Sequence, residues 1–204
     1  MRQRTFVMTA LTVFVLANSP ASGSSIGISF TQDGNDCDAI IQAAQPVTWY
    51  ILAYLGGDGA TCGITGAEFR QDGSPSGWFL GAIASQAAIS SMGNPIAGGC
   101  SVIFPPCQGS QSGLVLLYTI HGFAATQVPS TTLRINPHTT PSHPSFMCPV
   151  LFLCDTPTTR ICVAGGEAFI NGPVCHVDFD AQAPAGCPVG AEPATWSRVK
   201  SLFD

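Results

Sequence analysis

Charged residues are scarce in this chain. Only 9% of its 204 residues are Asp, Glu, Lys or Arg, against about 25% in an average soluble protein. Basic residues are the scarcer kind, because 7 Lys and Arg stand beside 12 Asp and Glu and give a formal net charge of −5. A nucleic-acid-binding protein needs a basic face to neutralise phosphates. The composition therefore argues against nucleic acid as a partner.

Long hydrophobic runs are also absent after the N-terminal segment. Arg2 and Arg4 precede an apolar run, Phe6–Ala17, and the small residues Ala21-Ser22-Gly23 follow it. This order is typical of a signal peptide, which we place at residues 1–23. The run is too short to cross a bilayer comfortably, and no later stretch reaches about 18 apolar residues. We therefore expect a secreted, extracellular or cell-envelope protein whose mature chain has no membrane span.

Nine cysteines follow the predicted cleavage site. Zinc sites favour cysteine pairs two to four residues apart, and the gaps here are wide and irregular. An exported chain, by contrast, meets conditions in which disulfides persist. We predict a disulfide framework with no metal or cofactor, and we place the odd thiol at Cys187. Connectivity stays open, with Cys100–Cys107 and Cys154–Cys162 as plausible local pairs; the cysteines assigned to disulfides are Cys37, Cys62, Cys100, Cys107, Cys148, Cys154, Cys162 and Cys175.

Clusters of Gly, Pro, Ser, Asn and Asp divide the mature chain into short apolar segments. Val47–Leu55 is rich in β-branched and aromatic residues, and Leu114–Ala124 is nearly all apolar, which predicts a strand buried on both faces. No helical period precedes residue 190. The pattern predicts an all-β fold, an antiparallel β-sandwich or jelly roll of about 8–10 short strands. The other predicted strands are Ile26–Phe30, Ile64–Gln71, Gly77–Ile83, Gln86–Ser90, Ser101–Phe104, Thr131–Asn136, Val150–Leu153, Arg160–Val163 and Glu167–Ile170.

The end of the chain differs from this pattern. We assign residues 24–180 to the sandwich, residues 181–194 to a Pro/Ala/Gly-rich linker, and residues 195–204 to a short C-terminal helix that Thr195 can cap. At helical spacing, one apolar stripe forms on this helix. Three alternatives stay open: the helix packs its stripe on the sandwich, it packs the stripe on a partner, or the tail is frayed and forms no stable helix. The predicted partner contacts are Trp78, placed partly exposed after a Gly/Ser/Pro turn, and the stripe residues Trp196, Val199, Leu202 and Phe203.

Three strings carry a resemblance. They are ITGAEFRQDGSPSGW at residues 64–78, GGEAFINGPVC at residues 165–175 and TWSRVKSLF at residues 195–203. They resemble those of a group of uncharacterised secreted bacterial proteins, which implies export and a β fold. The succession of strands Val47–Leu55 and Ile64–Arg70 resembles that of cohesin-type modules. Neither resemblance assigns a catalytic residue, since fold alone does not imply function.

One cluster of hard oxygen donors is a candidate calcium site. Asp33, Asn35, Asp36 and Asp38 lie within six residues, and Ca²⁺ prefers such ligands. Their spacing departs from the EF-hand register, and Cys37 occupies one of the alternate positions. The alternative is an Asp/Asn/Gly turn held by a disulfide at Cys37.

Catalytic patterns are weak. The pattern G-x-S-x-G occurs once, at residues 23–27, and lacks the strand-to-helix elbow of a serine hydrolase. Glu68, predicted to face solvent, and Glu167 are the only glutamates of the β region, and nothing in the sequence brings them to one cleft. We therefore predict an exported, non-catalytic structural or adhesive binding module whose partner is a protein or a glycan at the cell surface. The alternative is a secreted hydrolase or carbohydrate-active domain with an unrecognised site.

Overall fold

Two packed β-sheets make up the part of the chain that the computed structural model describes, namely residues 23–56, 63–109, 113–154 and 158–177. The strands in chain order are β1 (Ser25–Ser29), β2 (Asp38–Ala39), β3 (Gln45–Tyr54), β4 (Ile64–Asp72), β5 (Phe79–Ala84), β6 (Ser90–Asn94), β7 (Gly99–Gln108), β8 (Leu114–Ala124), β9 (Thr131–Asn136), β10 (Val150–Leu153), β11 (Arg160–Cys162), β12 (Ala164–Gly165) and β13 (Glu167–Ile170).

The first sheet has the order β12-β1-β3-β8-β5. Its centre is the antiparallel pair β3–β8, which runs from Gln45 opposite Ala124 to Tyr54 opposite Leu114 with one bulge. Strand β5 pairs with β8 along its whole length and ends the sheet. Long β-branched and aromatic strands suit this central position.

The second sheet is organised around β4. Strands β7 and β10 pair with the same stretch of β4 and so lie on its opposite edges, while β9 pairs with its end at Arg70–Asp72. Strands β6, β11, β13 and β2 extend the sheet outward.

The predicted all-β sandwich is confirmed, and most of its strand pairs are antiparallel as predicted, but two are parallel. Strand β1 pairs in parallel with β12, and β13 pairs in parallel with β2. Both β2 and β12 have only two residues, which is too short for any period-2 pattern to appear in the sequence. Among the described residues there is no helix, and hence none that could cross a membrane. The predicted signal peptide, linker and C-terminal helix lie outside the described residues, apart from Gly23.

The core lies between the two sheets. Trp49 from the first sheet and Phe69 from the second are both fully buried there. The Trp49 indole Nε1–H donates to Gln71 Oε1 at 2.8 Å, and Gln71 Nε2 donates to Ser74 Oγ at 2.9 Å. Because the buried polar groups find partners in this way, burying them does not carry the full desolvation penalty.

The described residues contain three disulfides, Cys37–Cys175, Cys107–Cys154 and Cys148–Cys162, which join residues 138, 47 and 14 apart in the chain. Their Cα–Cα distances of 5.2, 5.8 and 5.5 Å suit such bonds.

The local pairs Cys100–Cys107 and Cys154–Cys162 are wrong, because sheet pairing places other cysteines side by side. Cys100 is wrongly assigned to a disulfide. It lies in β7, faces the core and is a free thiol. Burial raises its pKa to about 12. Cys62 and Cys187 lie outside the described residues.

Candidate interaction face

One half of the sandwich carries no formal charge. Residues 73–133, which include β5, β6, β7 and β8, contain no Asp, Glu, Lys or Arg, and β3 contains none either. Three neighbouring strands of the first sheet are therefore uncharged. The charged side chains of the described residues come from other parts of the chain, such as the ion pair between Arg134 and Glu167.

The strand register defines what the outer surface of these three strands presents. Alternate residues of a strand face the same side of the sheet. Leu80, Ala82 and Ala84 of β5 pack toward the core, so their neighbours point outward. The register aligns these outward residues in three rows across β5, β8 and β3. We call this surface the β5 face; its rows are Phe79–Phe123–Pro46, Gly81–His121–Thr48 and Ile83–Thr119–Tyr50.

Large apolar side chains are exposed on the β5 face. Phe79 is 72%, Ile83 58% and Phe123 43% exposed. Between them lies His121, whose Nδ1 is 3.1 Å from Thr48 Oγ1. Soluble monomers rarely leave a contiguous apolar patch open, and such patches often mark interaction sites. The arrangement suits contact with another apolar, uncharged surface.

The opposite end of the same outer surface is covered. The Tyr54 hydroxyl donates to the Gly34 carbonyl at 2.7 Å, and Leu52 is buried. In the described residues no comparable segment covers Phe79 or Phe123. The prediction that β8 is buried on both faces is therefore wrong for its second half. The apolar sequence of β8 could not show this exposure. A strand buried on both faces and a strand with an exposed apolar face have the same composition.

Trp78, predicted to be partly exposed, is buried at 8% exposure. Its Nε1–H donates to the Thr126 carbonyl at 2.9 Å. It therefore supports the start of β5 and offers little surface to a partner. The predicted contacts of the C-terminal stripe, Trp196, Val199, Leu202 and Phe203, lie outside the described residues.

The structure does not bring the calcium candidates together as a site. Asp38 Oδ1 accepts a hydrogen bond from the Cys175 amide, and Asp36 Oδ1 lies 3.4 Å from His176 Nδ1. Asp33 accepts a hydrogen bond from the Asn35 amide within its own turn. Hydrogen bonds from Thr31 and Asn35 hold the pKa of Asp33 below its usual value. The described residues contain no group of three His, Cys, Asp or Glu side chains able to hold a metal ion.

The two glutamates have separate structural partners. Glu68, predicted to face solvent, is 2% exposed. Its carboxylate accepts hydrogen bonds from Ser101 Oγ at 3.2 Å and from the Ser142 amide at 2.9 Å. The segment between β9 and β10 therefore lies over it. Glu167 pairs with Arg134 at 2.8 Å.

A cleft of about 230 Å³ lies beside Glu167 and Tyr54. Among the described residues that line it, Glu167 is the one carboxylate, and the others are mostly glycine backbone and apolar surface. A glycoside hydrolase needs two carboxyl groups flanking the scissile bond. The described part of this cleft does not supply that pair.

Comparisons with known proteins bear on the fold. No protein-family model matches the chain, and no curated protein matches its sequence. A cohesin module from a Clostridium perfringens family 33 glycoside hydrolase is similar in structure, with a TM-score of 0.50 and 8% identity, over 75% of this chain and 98% of the module. A type I cohesin from Pseudobacteroides cellulosolvens has a TM-score of 0.43 and 13% identity, over 83% and 97% of the two chains. The likeness to the first module confirms the predicted resemblance to cohesins, and it shows a shared fold.

Proposed function

We propose that this chain is an exported, non-catalytic protein-binding module whose binding surface is the β5 face. The observation that carries the proposal is the exposure of Phe79, Ile83 and Phe123 together on a surface without any charged residue. Interface cores are depleted in charge and enriched in aromatic side chains. The partner we propose is a protein that presents an apolar, uncharged patch of its own.

Three further observations support this proposal: the fold and the carboxylates favour a binding module over a secreted enzyme, and the disulfides support export. The cohesin-like fold is that of a module found in larger proteins, as in the glycoside hydrolase named above. The disulfides are typical of proteins that work outside the cytoplasm. The carboxylates that the sequence offered for catalysis have structural partners in the described residues.

A protein partner is also favoured over a glycan. Sugars are recognised by a few precisely placed polar groups beside apolar contacts. The β5 face offers Thr48, Thr119, His121 and the Tyr50 hydroxyl for that purpose, and Thr48 and His121 already contact each other. The rest of the face is aromatic, aliphatic or glycine.

Site-specific photo-crosslinking tests the proposal. A photoreactive phenylalanine replaces Phe123 in the exported chain produced by its native host. The matched control places the same residue at Val174, which is 90% exposed but lies outside the β5 face. We expect an adduct with a different polypeptide from position 123 and none from position 174. Introducing Thr119→Lys into the Phe123 probe should abolish that adduct, because it places a charge on the β5 face directly beside Ile83.

Either of two labelling results, or a third result on the identity of the adduct, would refute the proposed function. One is equal labelling from positions 123 and 174, which would indicate nonspecific contact. The other is an adduct from position 123 that survives Thr119→Lys. An adduct containing only a second copy of this chain would also count against it.

A further inference from the structure

The last strand of the first sheet has an unprotected edge. Within the described residues, β5 pairs with β8 along one edge only. Proteins usually protect such edges with lysine, proline, bulges or a covering segment. The sequence of β5 is FLGAIA, with no charge and no proline. The described residues place no strand over it.

The hydrogen-bond pattern shows which backbone groups face outward at this edge. The Ser85 amide donates to the Leu117 carbonyl at 2.9 Å, in continuation of the β5–β8 register. Because hydrogen-bonded pairs alternate in an antiparallel ladder, the odd-numbered residues of β5 bond to β8. The backbone groups of Leu80, Ala82 and Ala84 then point to the open side.

From this geometry we propose that β5 pairs antiparallel with β5 of a second copy of this chain, about a two-fold axis at Gly81. This register keeps both outer faces on one side of the joined sheet, because it sets Phe79 opposite Ile83 of the second copy. It sets the outward-pointing amides and carbonyls of Leu80 against those of Ala82. The first sheet of one copy and the first sheet of the other copy then form one continuous sheet.

Gly81 fits this role and has no other evident one. A methyl group placed on it would meet no heavy atom within 4 Å, and its φ is not positive. Neither packing nor backbone conformation within the described residues therefore requires a glycine. Glycine within a strand often marks the close approach of another backbone. At the proposed axis, Gly81 lies opposite Gly81 of the second copy.

Charge and exposed apolar surface favour a second copy as the occupant. A chain of net charge −5 repels itself, but residues 73–133 bring no charge to this side of the sandwich. Ile89, which is 67% exposed, lies between β5 and β6 in the chain. Phe79 and Ile83 point outward on β5 itself and are 72% and 58% exposed. Exposed apolar side chains therefore lie on the strand that would form the contact.

Sedimentation velocity of the full exported chain tests the association, and three variants test its geometry. We expect a dimer whose population rises with concentration. Ala82→Pro removes an amide from the open edge and spares the β8 pairing, so it should yield a monomer. Ile83→Lys should raise the dimer dissociation constant by about tenfold or more, equivalent to about 1.4 kcal/mol. Thr48→Lys is the matched control, because it adds the same charge to the β5 face two strands from the edge, and it should leave the dimer intact.

A cysteine at the axis tests the register. In Gly81→Cys the two new thiols face each other in a non-hydrogen-bonded pair, about 4.5 Å apart at Cα. Mild oxidation should produce a covalent dimer, whereas Ile83→Cys, opposite Phe79, should not. A wild-type chain that stays monomeric up to about 100 µM, roughly −5.5 kcal/mol of association, would overturn the proposal. So would a dimer that Ala82→Pro and Ile83→Lys leave unchanged. The crosslinking test of the proposed function does not depend on whether the chain dimerises. It uses Phe123, which lies on β8 and not on the β5 edge.

Discussion

Removing the disulfide Cys37–Cys175 should cost more stability than removing any other described disulfide. The bond closes a loop of 138 residues, whereas Cys148–Cys162 closes one of 14. A crosslink stabilises a protein mainly by restricting its unfolded chain, and the effect grows with the logarithm of loop length. For these loops the relation gives about 5 and about 3 kcal/mol. The other two crosslinks shorten the longer loop, but this lowers its value only to about 4.6 kcal/mol.

The assay compares two double variants, Cys37→Ala/Cys175→Ala and Cys148→Ala/Cys162→Ala, with the oxidised wild-type chain. For a domain of this size, about 5 kcal/mol corresponds to a fall in Tm of about 10 to 20 °C. We expect the first variant to lose roughly 2 kcal/mol more than the second in urea unfolding followed by tryptophan fluorescence. Because Cys37 is also buried in the core, truncating it adds to the difference in the same direction. Equal losses, or a larger loss from the second variant, would refute the reasoning.

Three other predictions concern buried polar groups. Gln71→Ala should cost about 1–3 kcal/mol in the free energy of unfolding, because it leaves the Trp49 indole N–H without its acceptor; urea unfolding measures this, and no loss would contradict the buried bond. Cys100 should resist alkylation at about pH 8 in the folded chain and react after unfolding; peptide mapping by mass spectrometry measures this, and rapid labelling of native protein would contradict its burial. Burial raises the pKa of Tyr54 to about 12 and also raises that of Tyr118, so both phenols should ionise at higher pH in the folded than in the unfolded chain. The stability they confer is complete below about pH 10 and falls as the pH rises toward 12; ultraviolet titration of the phenolate checks this, and identical curves for folded and unfolded chain would contradict it.

The clearest strands could be read from the sequence to the residue. The bounds of β8, β9, β10 and β13 agree with the prediction, because proline, glycine and polar turn residues interrupt the apolar pattern at their ends. Strand β7 was predicted too short, at Ser101–Phe104, because Pro105 and Pro106 look like a break. They are tolerated because β6 pairs with β7 only as far as Ile103, so the later residues face none of the described strands on that edge.

The open face and the disulfide partners could not be read in the same way. Gln86–Ser90 was predicted as a strand, but the Ala88 amide bonds to the Ser85 carbonyl in a turn, and β6 begins at Ser90. A local pattern does not contain the register between distant strands. That register sets Phe79 beside Phe123, and the sheet arrangement likewise brings Cys107 to Cys154.

The missing charge in residues 73–133 has a further consequence for how the β5 face can work. Charged interfaces draw partners in over long distances, with association rates that reach about 10⁸–10⁹ M⁻¹s⁻¹ at low salt, whereas neutral ones stay near 10⁵–10⁶. A partner of the β5 face receives no such steering, so its affinity depends on slow dissociation. Added salt has no charge pair to screen at this surface. Attachment through it would therefore persist from fresh to saline surroundings, and would loosen on cooling, as apolar contacts weaken at low temperature.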